Sequence, residues 1–121
     1  MRSDTLRMET PVAGSLDREV ALSRMGGDPE LLREIATLFL ENYRQWLGEL
    51  RQATVRGDAP MVERTAHGLK GSVANFGASN AVEASLNLEN LGRSGDLAGA
   101  TKSLAALELA LETLRGDLES L

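Results

Sequence analysis

Cysteine is absent from the 121-residue chain and histidine occurs once, at position 67. Without a thiol there is no disulfide framework, no thiolate zinc site, no iron–sulfur cluster and no cysteine nucleophile. A single imidazole excludes a histidine-rich metal centre, and a serine triad would have to use His67 as its base. No apolar run approaches the roughly 20 residues that span a bilayer, and the N-terminus lacks the apolar core of a signal peptide. The expectation is a soluble, unexported, cytoplasmic protein without a membrane partner. Positive charge is also in deficit: the formal net charge is -5. A general nucleic-acid binder needs the opposite balance, so any partner patch must be local. The length is that of one domain, and 42% hydrophobic residues supply enough material for one packed core.

Residues 1–14 show neither a helical nor a strand period and are expected to form a flexible N-terminal arm. Acidic residues among the basic ones argue against a transit peptide, leaving a leader of the domain or a linker from a longer chain. From Ser15 the punctuation is helical. It begins around Asp17 with a short amphipathic piece carrying Leu16, Val20 and Leu22, expected to be a short first helix, which breaks at Gly26-Gly27. Asp28, Pro29 and Glu30 then supply an N-cap, a first-turn proline and an acidic residue at the positive end of the next helix dipole. Leu32, Ile35, Phe39, Tyr43, Trp46, Leu50 and Ala53 step by three and four, the spacing of one stripe on a 3.6-residue helix. Gly57 stops it. Asp58 caps a third helix whose stripe is Val62, Ala66, Leu69, Val73 and Phe76, with Gly77 closing the segment. Asn80 and Glu83 resemble a capping box for a fourth helix with Ala81, Ala84, Leu88 and Leu91, and Gly92-Arg93-Ser94-Gly95 reads as the next turn. In the last segment Leu97, Leu104, Leu111 and Leu118 recur every seven residues, as do Ala100, Leu107, Leu114 and Leu121, forming one seam. The expected fold is all-α, an antiparallel up-and-down four-helix bundle behind a short N-terminal helix. Its core accounts for nearly every Leu, Ile, Val and Phe, with Tyr43 and Trp46 in the core or at its edge.

One segment, His67-Gly68-Leu69-Lys70-Gly71-Ser72, carries chemistry. At about 100° per residue, His67 falls roughly 140° from the Val62 direction, on the solvent side of its helix. Lys70 and Gly71 lie one turn further on and flank it. An ammonium beside a neutral imidazole disfavours imidazolium, leaving a ring nitrogen free to attack phosphorus, and offsets the charge of a phosphoryl group once attached. Gly71 costs about 1 kcal/mol of helix propensity relative to alanine, which points to a need for open space beside the ring. Between positions 59 and 77, Arg64 and Lys70 face only Glu63, so this face is less acidic than the chain as a whole. No acidic cluster is arranged for Mg²⁺, and Gly26-Gly27 lacks the Lys-Ser/Thr of a P-loop, so neither ATP binding nor autokinase activity is expected. A metal-carboxylate bundle is disfavoured because Glu63 and His67 are four apart and no paired Glu-x-x-His exists.

The segment, followed by Gly77-Ala78, resembles the signature of the histidine-containing phosphotransfer (HPt) domain family. Leu16-Asp17, Gly26-Gly27-Asp28, Leu38-Phe39, Leu88-Glu89 and Gly95-Asp96 also fall where that family carries similar residues, so the resemblance spans residues 15–121. It implies a four-helix bundle whose exposed histidine accepts a phosphoryl group from the aspartyl phosphate of one receiver domain and passes it to another. His67 corresponds to the phosphoacceptor, Lys70 to the basic residue supporting the phosphoryl group, and Gly71 to the small residue that admits the receiver. Gly68 departs from the family pattern, which usually has a larger residue such as threonine there, and weakens the helix locally. The resemblance further implies a monomeric phosphorelay intermediate with no cofactor of its own, Mg²⁺ coming with the receiver. Its partners would be response-regulator receivers and a hybrid sensor histidine kinase. Two alternatives stand beside it: a bundle that docks receivers without accepting phosphate, and the phosphorylation module of a chemotaxis-type kinase, charged by an ATP-binding domain. A chain of this length starting at methionine favours a free-standing protein over a module of a longer kinase.

Overall fold

The computed structural model describes residues 13–121; most of the expected N-terminal arm, residues 1–12, lies outside them. Five helices follow one another, α1 (Arg18–Arg24), α2 (Pro29–Arg56), α3 (Ala59–Ala74), α4 (Ser79–Ser94) and α5 (Ala100–Glu119), with no strand among the described residues. The caps explain where the first three begin. Asp17 accepts a hydrogen bond from the Val20 amide, Asp28 from the amides of Glu30 and Leu31, and Asp58 from that of Met61. Each satisfies donors that have no partner within the helix, typically worth about 1 kcal/mol. Gly57, at φ 69°, ends α2 in the left-handed conformation that costs glycine nothing, and only Gly57 and Asp58 separate α2 from α3.

Helices α2 to α5 pack in a closed ring, each against the next and α5 back against α2, while α1 rests on α2. That is the up-and-down four-helix bundle with a short leading helix. Along α3 the buried positions are Val62, Ala66, Leu69 and Val73, with Phe76 just beyond its end. The α5 seam buries Leu104, Leu107, Leu111, Leu114 and Leu118, whereas Leu97 and Leu121 lie outside the helix and are half-buried. On α2 the seam is Leu32, Ala36, Phe39, Tyr43, Leu47, Leu50 and Ala53. Ile35 and Trp46 sit at its edge because Ala36 and Leu47, one residue later, point more directly inward. The two phenylalanines, the tyrosine and the tryptophan form one cluster: Phe39 stacks on Tyr43 at 5.4 Å and meets Trp46 and Phe76 edge-on at 6.1 and 5.5 Å.

Two expectations are corrected at α4. Asn80 is not an N-cap: Ala78 holds that position without a side-chain cap, and Asn80 lies in the first turn. Its amide donates to the Gly14 carbonyl at 2.8 Å and its Nδ2 to the Ala13 carbonyl at 3.1 Å, so the incoming chain supplies acceptors for the exposed end of α4. Gly92, Arg93 and Ser94 are not a turn either; the helix runs through them and Gly95, at φ 79°, ends it. Gly92 is buried where α4 crosses α3. A Cβ there would lie 2.5 Å from the Glu63 amide nitrogen and 2.8 Å from the Ala59 carbonyl oxygen. The residue that reads as a helix breaker is a point of close approach of two helices.

Candidate functional site

The solvent direction deduced for His67 holds: 67% of its side chain is exposed, in the middle of α3. Helix α3 continues unbroken through Gly68 and Gly71, because its inward face anchors it on both sides of the glycines. A Cβ at either glycine would meet nothing within 4 Å. The surface beside the imidazole is therefore bare, and another backbone can come close to it. Ser72 takes no part, since its hydroxyl donates to the Gly68 carbonyl at 3.3 Å on the side facing Trp46.

Behind the ring stands Glu89, on α4 and 4% exposed along its side chain. Its Oε2 lies 2.8 Å from His67 Nδ1 and accepts from Arg93 Nη2 at 3.0 Å, and its Oε1 is 2.7 Å from Lys70 Nζ. Oε1 has no partner other than that ammonium, held at ion-pair distance. Arg93 Nε reaches on to Glu63 at 3.0 Å, tying α4 to α3 a second time. His67 and Lys70 are thus brought together through one carboxylate, which bonds both the imidazole and the ammonium. Lys70 is 28% exposed along its side chain. His67 also borders an open depression of about 440 Å³ whose walls include Pro60, Glu63, Arg64 and Arg93.

The Glu89 carboxyl is held below the ordinary glutamate value of 4.5, first by the Lys70 ammonium and then by His67, against the opposing effect of burial. It is ionised at neutral pH and can only accept hydrogen bonds. Nδ1 must then carry a proton in this contact, so that in the neutral ring the bare lone pair is that of Nε2, directed away from Glu89. A carboxyl whose folded value is depressed stabilises the fold in full above about 4.5 and loses that contribution as pH falls through the lower folded value. Urea titrations should show stability falling below pH 4.5, and Glu89→Gln should flatten that part of the profile.

Glu89 and Arg93 were not candidates on sequence, yet a signal existed. Ser85, Glu89 and Gly92, spaced by four and three, lie on the face that buries Ala81 and Leu88. A glutamate on an inward stripe needs cationic partners, and Lys70 and Arg93 were within reach.

A four-helix bundle that holds one imidazole in solvent, backs it with a buried carboxylate and clears the surface beside it belongs to the class of proteins that carry a group on histidine. The chain belongs to the Hpt domain family, whose model matches residues 34–117. Among solved structures it is similar to histidine-containing phosphotransfer protein B (HptB) from Pseudomonas aeruginosa PAO1, at a TM-score of 0.83 and 26% identity over 90% of this chain and 95% of that one. No curated protein matches it. Its function is histidine phosphotransfer in two-component phosphorelay signalling.

Proposed function

We propose that His67 is the phosphoacceptor and that Nε2 is its nucleophilic atom. The observation that carries this reading is the Nδ1 contact with ionised Glu89 on a ring that is otherwise open to solvent. Transfer from a receiver's aspartyl phosphate then forms the bond from Nε2 to phosphorus as the bond from phosphorus to the carboxylate oxygen breaks, the electron pair leaving with the aspartate. Lys70 offsets the charge of the incoming phosphoryl group, and Gly71 and Gly68 leave room for the receiver's backbone. Among the described residues no three His, Cys, Asp or Glu side chains are grouped to hold a metal ion, and we assign the Mg²⁺ of the reaction to the receiver. The partners are response-regulator receivers and a hybrid sensor histidine kinase. No helix among the described residues is long and apolar enough to cross a membrane, and we assign the protein to the cytoplasm as a monomer.

Lys70→Ala and Gly71→Gln separate chemistry from docking. Lys70→Ala removes a charge but little contact area, so it should slow transfer by about 10- to 100-fold with receiver affinity nearly unchanged. Gly71→Gln fills the open surface and should weaken receiver binding instead. The bundle stays folded, since the position has no neighbours and glutamine favours the helix by several tenths of a kcal/mol, roughly. Transfer kinetics and binding against one receiver measure both. If neither variant differs from wild type in either assay, the bundle that docks without accepting phosphate becomes the better reading.

A further inference from the structure

We propose that Glu89 holds the Nδ1 proton on the ring after Nε2 has been phosphorylated, so that the loaded histidine persists as a phosphoimidazolium, the form from which the phosphoryl group departs. This rests on His67 being the phosphoacceptor and adds what makes it a donor in the next step.

The bonding account is simple. Before transfer, the ring is neutral with its proton on Nδ1, 2.8 Å from Glu89 Oε2. When Nε2 donates its lone pair to phosphorus, the ring becomes a cation that still carries that proton. In open water the proton can leave, giving a neutral phosphoimidazole. Discharge of that neutral form would expel an imidazolide anion, a strong base and poor leaving group. Discharge of the protonated form breaks the bond between phosphorus and Nε2, returns the electron pair to Nε2 and expels neutral imidazole with its Nδ1 proton already in place. The carboxylate thus favours the donor form, and no external acid is needed.

The groups around the ring come from two helices. Glu63, Arg64 and Lys70 project from α3, Glu89 and Arg93 from α4, and neither α2 nor α5 lines the depression beside His67. Lys70, Arg64 and Arg93 oppose a ring cation, but Lys70 and Arg93 are themselves bound to Glu89, and Glu63 is bound to Arg93. Only Glu89 touches Nδ1. An opposite charge at hydrogen-bonding distance favours the charged form of the ring. Glu89 does not touch the reacting atoms; it is a positioning residue.

Because His67 is the only histidine, protein labelled with ¹⁵N-histidine gives one ring spin system. Wild type and Glu89→Gln, which keeps the side chain's size and an acceptor for Nδ1, are loaded from a receiver charged with acetyl phosphate and compared at pH 8. Wild type should show Nδ1 bearing its proton and the variant Nδ1 with a bare lone pair. The alkaline fall-off of transfer from the loaded protein should move down by about one pH unit in the variant, with transfer midway between the two fall-offs about threefold slower. Nδ1 in the same state in both proteins overturns the proposal. If the variant does not fold, the loaded wild type is compared with a phosphorylated peptide of residues 62–72. A bare Nδ1 in the wild type at pH 8 again overturns it. A wild-type ring that takes up no phosphoryl group removes the reading of His67 as acceptor, and this proposal with it, whereas a loaded ring with a bare Nδ1 removes this proposal alone.

Discussion

His67→Gln should accept no phosphate from a phosphorylated receiver while remaining as folded as the wild type. The chain has no other imidazole, so no neighbouring residue can take over the same chemistry. The side chain is largely exposed and contributes nothing to the core, and substitutions at such positions usually change stability by less than about 0.5 kcal/mol. The glutamine amide can still donate to Glu89, so the buried carboxylate keeps its three contacts and the variant tests the nucleophile rather than the fold. Incubation with a labelled phosphoreceiver, followed by separation of the two proteins, measures the outcome directly, and circular dichroism checks the helices. The wild-type label should be lost in acid and persist in alkali, as a phosphoramidate requires. Label retained by the glutamine variant at the wild-type level would place the acceptor elsewhere and remove His67 from the mechanism.

How much of this was legible in the sequence depended on whether the determinant was local. The caps at Asp28 and Asp58 and the stop at Gly57 are side chains or torsions acting on their own helix ends, and sequence reading located each of them. The outward direction of His67 follows from helix geometry and the position of its apolar neighbours, again within one helix. The readings that failed or fell short were those in which a second element intervened. Asn80 looks like a cap until the Gly14 carbonyl is seen to occupy its amide. Lys70 looks like the direct neighbour of His67 until α4 brings Glu89 between them. Spacing along α3 could indicate that a cation and an imidazole share a face; it could not indicate what the facing helix would insert, because that depends on how α4 packs against α3, close together at Gly92.

That packing gives the second large effect. Gly92→Ala should destabilise the protein although alanine is the better helix former by about 1 kcal/mol. The added methyl would lie 2.5 Å from the Glu63 amide nitrogen and 2.8 Å from both the Ala59 carbonyl oxygen and the Glu63 Cα, all backbone atoms of α3. No side chain can turn aside to relieve this, so the helices must part by about 1 Å, the gap between those distances and ordinary contact. Overpacking of this kind costs about 1–3 kcal/mol, enough to outweigh the gain in propensity. Glu89 lies one turn before Gly92 on the same face, so the displacement also draws its carboxylate away from His67 and Lys70. The variant should lose part of the acid-side stability profile as well as overall stability. Gly71→Ala supplies the control, since the same change of residue on the same pair of helices meets only solvent. It should stabilise by about 0.5–1 kcal/mol where Gly92→Ala destabilises. Thermal and urea unfolding of the two variants beside the wild type measure the contrast. Equal stabilisation by both alanines would mean that α3 and α4 do not approach this closely at Gly92, and that Glu89 is not held against the ring in the way described.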